Sequence, residues 1–64
     1  MIQYFYVLYN KIEDYLYIDN QFGYTKDILM AERYASYNEA RDALKYFKNP
    51  EEWKPAVVTI QVTI

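Results

Sequence analysis

The stretch that decides the fold is Ile2-Gln3-Tyr4-Phe5-Tyr6-Val7-Leu8-Tyr9. β-Branched and aromatic residues fill it and no Gly or Pro interrupts it, so it reads as a strand. Both alternating faces are apolar, as expected of a strand with neighbours on either side or a cover on each face. It belongs in the centre of a sheet. Asn10-Lys11-Ile12-Glu13-Asp14 follows as a polar loop of hairpin length, and Tyr15-Leu16-Tyr17-Ile18 returns as the partner strand.

Further along, Asp19-Asn20-Gln21-Phe22-Gly23 is a turn cluster, with the chain's one Gly where a positive φ is easiest. Thr25 reads as an N-cap and Asp27 as a first-turn carboxylate. Ile28, Ala31 and Tyr34 then recur at helical spacing, which predicts a short helix over about Lys26 to Tyr34. Ser36-Tyr37-Asn38-Glu39 is a capping box, Glu39 reaching back to the Ser36 amide. It opens a second helix whose buried stripe is Ala40, Ala43, Leu44 and Phe47, stopped at Asn49-Pro50. Pro50 to Trp53 is a compact turn, with Trp53 anchoring it to the domain. From Val57 to Ile64 the chain alternates, with Val58, Ile60, Val62 and Ile64 on one face and Val57, Thr59, Gln61 and Thr63 on the other. The order is β-β-α-α-β over a single domain, residues 1–64. The expected class is α+β, a three-stranded antiparallel-type sheet with two short helices on one face and Ile2–Tyr9 between the other two strands.

The 64 residues include nine Tyr, three Phe and one Trp, and no His or Cys. Such aromatic content argues against disorder. Without imidazole or thiol there is no zinc site, disulfide, thiol nucleophile or imidazole base, and no metal or cofactor is expected. One Gly cannot build a phosphate cradle. Ser36, the only serine, is committed to a cap, so no base–nucleophile pair is left and an enzyme is not expected. Paired carboxylates occur at Glu13-Asp14 and Glu51-Glu52, but so short a chain has little volume for a cleft where one partner's pKa is raised. They read as solvated loops or as an acidic surface meeting a basic partner.

Seven Lys+Arg face nine Asp+Glu, a net charge of −2. That balance gives no basic surface for nucleic acid. Met1-Ile2-Gln3 starts no signal peptide and no long apolar run exists, so no membrane partner is expected. With Met1 at one end and Ile64 at the other, the sequence reads as a short complete frame. Apolar burial barely balances chain ordering at this length, and neither metal nor disulfide is available to help. A homodimer is expected to make up the difference.

Tyrosine is the unusual feature. Tyr4 and Tyr6 share one face of the first strand, and Tyr15 and Tyr17 share one face of the second. Paired across the hairpin, they form a four-Tyr patch on the sheet face away from the helices, rimmed by Glu13 and Asp14. Leu16 and Ile18 then point inward with Phe5 and Val7. The opposite assignment, with Tyr4 and Tyr6 in the core, stays open because both faces of the first strand are apolar. Tyrosine combines contact area, few rotatable bonds and a polar tip, which suits interfaces. Base stacking would need basic residues beside the rings, and Ile2–Tyr9 and Tyr15–Ile18 hold none.

The run Gly23-Tyr24-Thr25-Lys26-Asp27-Ile28, with Ala31, Tyr34, Ser36, Glu39-Ala40 and Ala43-Leu44 after it, resembles a pattern found in small uncharacterised proteins of Gram-positive phages and prophages. The likeness covers roughly residues 15–47 and carries no active-site residue. It implies a phage-encoded protein acting in the bacterial cytoplasm. The expected function is a non-enzymatic phage accessory protein that binds and inhibits or redirects a bacterial protein, a defence protein among the candidates. The contact residues expected are Tyr4, Tyr6, Tyr15, Tyr17, Glu13 and Asp14. The alternatives are a self-associating structural module, joined through its Tyr face or its uncharged C-terminal strand, and, last, a single-stranded nucleic-acid module.

Overall fold

The computed structural model describes residues 2–19 and 23–63. An antiparallel sheet carries one short helix on one of its faces, an α+β arrangement. The strands are β1 (Ile2–Asn10), β2 (Tyr15–Asp19), β3 (Gly23–Thr25) and β4 (Trp53–Gln61), and the helix is α1 (Tyr37–Ala43). Single 3-10 turns lie at Leu44–Tyr46 and Pro50–Glu52. The sheet order is β3-β2-β1-β4, so β1 runs between the hairpin partner and the C-terminal strand, as its two apolar faces require.

β1 and β4 pair along their whole length, from Ile2 opposite Gln61 to Asn10 opposite Trp53. β1 and β2 pair only near the hairpin, Tyr9 opposite Leu16 and Asn10 opposite Tyr15. Asn10 organises that loop: its buried side-chain Oδ1 accepts from the Ile12 and Glu13 amides at 2.9 and 2.8 Å. Asp14 closes the loop at φ +62°, a left-handed conformation that Asp tolerates better than most residues.

The structure differs from the sequence reading at several points, each with a physical cause. The sheet has four strands, because Gly23–Thr25 pairs with β2 as an edge strand rather than only ending a turn. Gly23 takes φ +76° where the β2–β3 register shifts. The rest of that turn, residues 20–22, and the last residue of the alternating strand, Ile64, lie outside the described residues. The helix predicted over Lys26–Tyr34 does not form. Thr25 and Asp27 do accept backbone hydrogen bonds, from the Asp27 amide at 2.9 Å and the Leu29 amide at 3.0 Å, but as local turns. The chain beyond is drawn into the fork where β1 and β2 part. There Tyr34 exchanges two hydrogen bonds with Tyr6 at 2.8 Å, and the Glu32 amide donates to the Tyr17 carbonyl at 3.0 Å. These hydrogen bonds extend the pairing of the strands into the fork, so tertiary pairing overrides the local helical spacing.

The second predicted helix forms, shorter than expected. Ser36 caps it, its Oγ accepting from the Glu39 amide at 3.2 Å, while Glu39 reaches the Ala35 amide rather than that of Ser36. The regular helix ends at Ala43, before Asn49-Pro50. Its expected stripe holds: Ala40 and Leu44 join Leu8 and Trp53 in one buried cluster, with Tyr6, Tyr17, Tyr34, Ala43 and Phe47 packed against it. α1 therefore covers the face that carries Leu8.

That placement settles the face of the tyrosines. The registers put Tyr4, Tyr6, Tyr15 and Tyr17 on one side of the sheet, with Leu8 and Asn10. It is the side that carries α1, not the side away from it. Tyr6 and Tyr17 pack on the core, while Phe5 and Val7 belong to the opposite face. On that face Val7 is buried and Arg33 lies over the Phe5 ring at 4.4 Å.

Candidate functional site

α1 crosses the middle of the tyrosine face and divides it. Toward the hairpin end, the rings of Tyr15, Tyr17, Tyr24, Phe47 and Trp53 form a continuous floor. Tyr17 meets Phe47 at 4.8 Å and Trp53 at 6.1 Å between ring centroids, and Trp53 meets Tyr24 at 5.3 Å and Phe47 at 5.1 Å. Tyr15 stacks on Tyr24 at 6.4 Å. Such tilted and edge-on pairs each add about 0.5–1.5 kcal/mol beyond area burial, which fixes the rings in place.

Each ring has its own reason for being there. Trp53 follows the Pro50–Glu52 turn and enters β4 opposite Asn10, so the anchor expected from sequence is buried at 6% exposure. Tyr17 and Tyr24 are cross-strand partners of β2 and β3. Phe47 leaves the 3-10 turn in an extended conformation that turns it back onto the sheet.

Two adjoining cavities open over this floor. The larger, about 440 Å³, is bounded by Tyr17, Tyr24, Tyr46, Phe47 and Trp53 with Glu13, Lys48 and Glu52 among its polar walls. The smaller, about 240 Å³, is bounded by Asn10, Glu13, Tyr15, Tyr24 and Trp53. Tyr46 stands at the rim with 90% of its surface exposed. One carboxylate of each acidic pair noted in the sequence, Glu13 and Glu52, borders the larger cavity, because the Lys11 amide donates to the Glu52 carbonyl at 2.8 Å and ties the hairpin loop to the Pro50–Glu52 turn.

The expected contact residues thus separate. Tyr15, Tyr17 and Glu13 line the groove. Asp14 accepts the Tyr9 hydroxyl at 2.7 Å, and that hydrogen bond, with burial and the carboxylate's charge, raises the Tyr9 pKa. Tyr4 and Tyr6 lie at the far end of the β1–β4 ribbon, edge-to-face at 6.3 Å, with Tyr6 also edge-on to Tyr37 at 6.2 Å. Ile2, Tyr4, Tyr37 and Val57 are exposed in that half of the molecule.

The sequence reading missed Tyr24, Phe47 and Trp53 as site residues. Phe47 was expected in the buried stripe of the second helix and Trp53 as the anchor of its turn, and Tyr24 entered only in the run that carries the phage resemblance. Tyr34, in the fork, has its hydroxyl pKa pushed up to about 12 by burial first, then by Glu32 and Tyr17. Among the described residues no group of His, Cys, Asp or Glu side chains is placed to hold a metal ion, and no helix is long and apolar enough to cross a membrane. No known protein-family model matches the chain, and comparison with curated proteins and with solved structures finds no match.

Proposed function

We propose that this chain works by adhesion, without bond-making chemistry, holding a segment of a partner protein in the aromatic groove beside Trp53. The observation that carries this reading is the open floor of Tyr15, Tyr17, Tyr24, Phe47 and Trp53 with carboxylates at its rim. A concave, mostly aromatic surface with a few polar groups is the usual form of a binding site, and Tyr and Trp dominate interface energetics. The phage resemblance makes the partner a bacterial protein and the consequence its inhibition or redirection in the host cytoplasm. Peptides selected by display against the intact chain test the site. Tyr24→Ala removes an exposed ring on an edge strand, so the fold should survive. Loss of about 2 kcal/mol, roughly thirtyfold in affinity, is expected. Unchanged affinity would place the binding surface elsewhere.

A second reading, self-association, is favoured by the outer edge of β4. Tyr6 turns its amide and carbonyl toward Tyr34, away from β4, so the partner of Tyr6, Val57, turns its own outward. By the same alternation Thr59 and Gln61 present theirs to solvent, and Pro55, which has no N–H, occupies an outward position. No charge or proline interrupts Ala56–Thr63. Antiparallel pairing of two such edges would extend the sheet across a dimer. Sedimentation at micromolar concentration separates the readings, since a strict monomer would exclude this one and leave the groove unaffected.

A further inference from the structure

We infer that two copies of the chain pair along their β4 edges about a two-fold axis at Thr59; the inference rests on the self-association reading. Val57, Thr59 and Gln61 turn their amides and carbonyls away from β1, so this edge is a row of alternating donors and acceptors. Such a row specifies its occupant more narrowly than an apolar surface does. Only another extended strand satisfies it, and in the antiparallel sense the edge is complementary to a copy of itself.

The thinness of the sheet at this end makes the occupant a second copy. Among the described residues β2 pairs with β1 only at Tyr9 and Asn10, and Tyr34 bridges to β1 at Tyr6. From Phe5 back to Ile2, β4 is the one strand beside β1. A two-stranded ribbon is marginal in water, whereas a second copy makes four strands there, β1-β4-β4-β1. The side chains also match. With Thr59 on the axis, Val58 lies across from the exposed Ile60 of the second copy and Thr59 across from its own equivalent, both favourable cross-strand pairs. No charged side chain falls in this run to oppose its equivalent. The register follows from the ends of the run. β4 stops at Gln61 and Pro55 has no N–H, so Val57 to Gln61 is the stretch that exchanges hydrogen bonds in full, and Thr59 is its middle. An axis one residue nearer Pro55 would set that proline across from Gln61 and leave a carbonyl unpaired. Because the axis stands normal to the sheet, both helices and both aromatic grooves lie on one side of the dimer.

The chain has no cysteine, so a single introduced thiol reports the register. Val57→Cys, Thr59→Cys and Gln61→Cys are each oxidised mildly at micromolar concentration, with Lys45→Cys, exposed on the 3-10 turn, as the collisional background. Thr59→Cys should form a disulfide-linked dimer at least about tenfold faster than that background, because its Cβ atoms meet across the axis. Val57→Cys and Gln61→Cys should each stay at background, since four residues of strand, about 13 Å, separate either from its own equivalent. Mixed in equal amounts, those two should link to each other. Preference for another position, a mixture no faster than its parts, or Thr59→Cys at background in a chain that sediments as a dimer would overturn the axis at Thr59, yet leave self-association through another register or surface. A chain that sediments as a strict monomer, with every variant at background, would remove self-association itself.

Discussion

The backbone amide of Lys11 donates to the carbonyl of Glu52 at 2.8 Å, and this one hydrogen bond joins the β1–β2 hairpin to the turn that leads into β4. It places Glu13 and Glu52, distant in sequence, on the walls of a single groove. It also lays Trp53 across from Asn10, so the loop that shapes the rim and the ring that forms the floor are held by neighbouring contacts.

Asn10 is the side chain on which that loop depends. Asn10→Leu would leave the Ile12 and Glu13 amides without their acceptor. A cost of about 1–3 kcal/mol in urea unfolding is expected, with faster hydrogen exchange at those two amides. Asn10→Asp, which keeps the acceptor, should exchange like the wild type at both. Unchanged exchange in Asn10→Leu would mean that the loop is held by something else.

Leu8 is fully buried between α1 and the sheet. Leu8→Ala should cost about 2–5 kcal/mol, a loss a domain this small can hardly survive. Its circular-dichroism melt should be broad or absent at ambient temperature. A melt within a few degrees of wild type would show that the cluster is not the core.

Neighbouring prolines on β4 should behave oppositely. The Thr59 N–H points to solvent, so Thr59→Pro should change stability by less than about 1 kcal/mol while abolishing any edge-to-edge dimer. The Val58 N–H faces Phe5 across the ladder, and Val58→Pro should cost about 1–3 kcal/mol for the orphaned acceptor. Urea titrations of the two variants compare them directly. Equal losses would contradict the register.

High pH should weaken the fold in a defined window. The Tyr34 phenol holds its proton to about 12 in the folded chain, against 10.0 for a free tyrosine. Its contribution is therefore complete below pH 10. Above that the unfolded chain ionises first, and stability falls as pH rises from about 10 toward 12. Tyr9, raised by its hydrogen bond to Asp14, adds in the same direction. Urea midpoints should decline across this range and decline less in Tyr34→Phe. A flat or rising midpoint would contradict a half-buried phenol that keeps its proton.

Much of this architecture is legible in the residues themselves. The two apolar faces of Ile2–Tyr9 place β1 inside the sheet, Ser36 starts the helix, and Trp53 anchors the last strand. The Thr25–Tyr34 stretch misleads because a Thr or Asp accepting a nearby amide serves a turn as readily as a helix start. What decides between them is the fork between β1 and β2, a long-range feature that no local window contains. The groove was hidden for a related reason. Tyr15 and Tyr17 announce a tyrosine face, but which end of it stays open depends on where α1 crosses, and only Leu8, Ala40 and Leu44 meeting in one cluster fix that.

Chemical-shift mapping of the isotope-labelled intact chain, titrated with a display-selected peptide, tests binding in the groove most directly. Movement of the Trp53 indole signal together with the amides of Asn10, Glu13, Tyr15 and Tyr24 is the expected result. Shifts confined to Tyr4, Tyr37 and Val57 at the opposite end of the ribbon would contradict it.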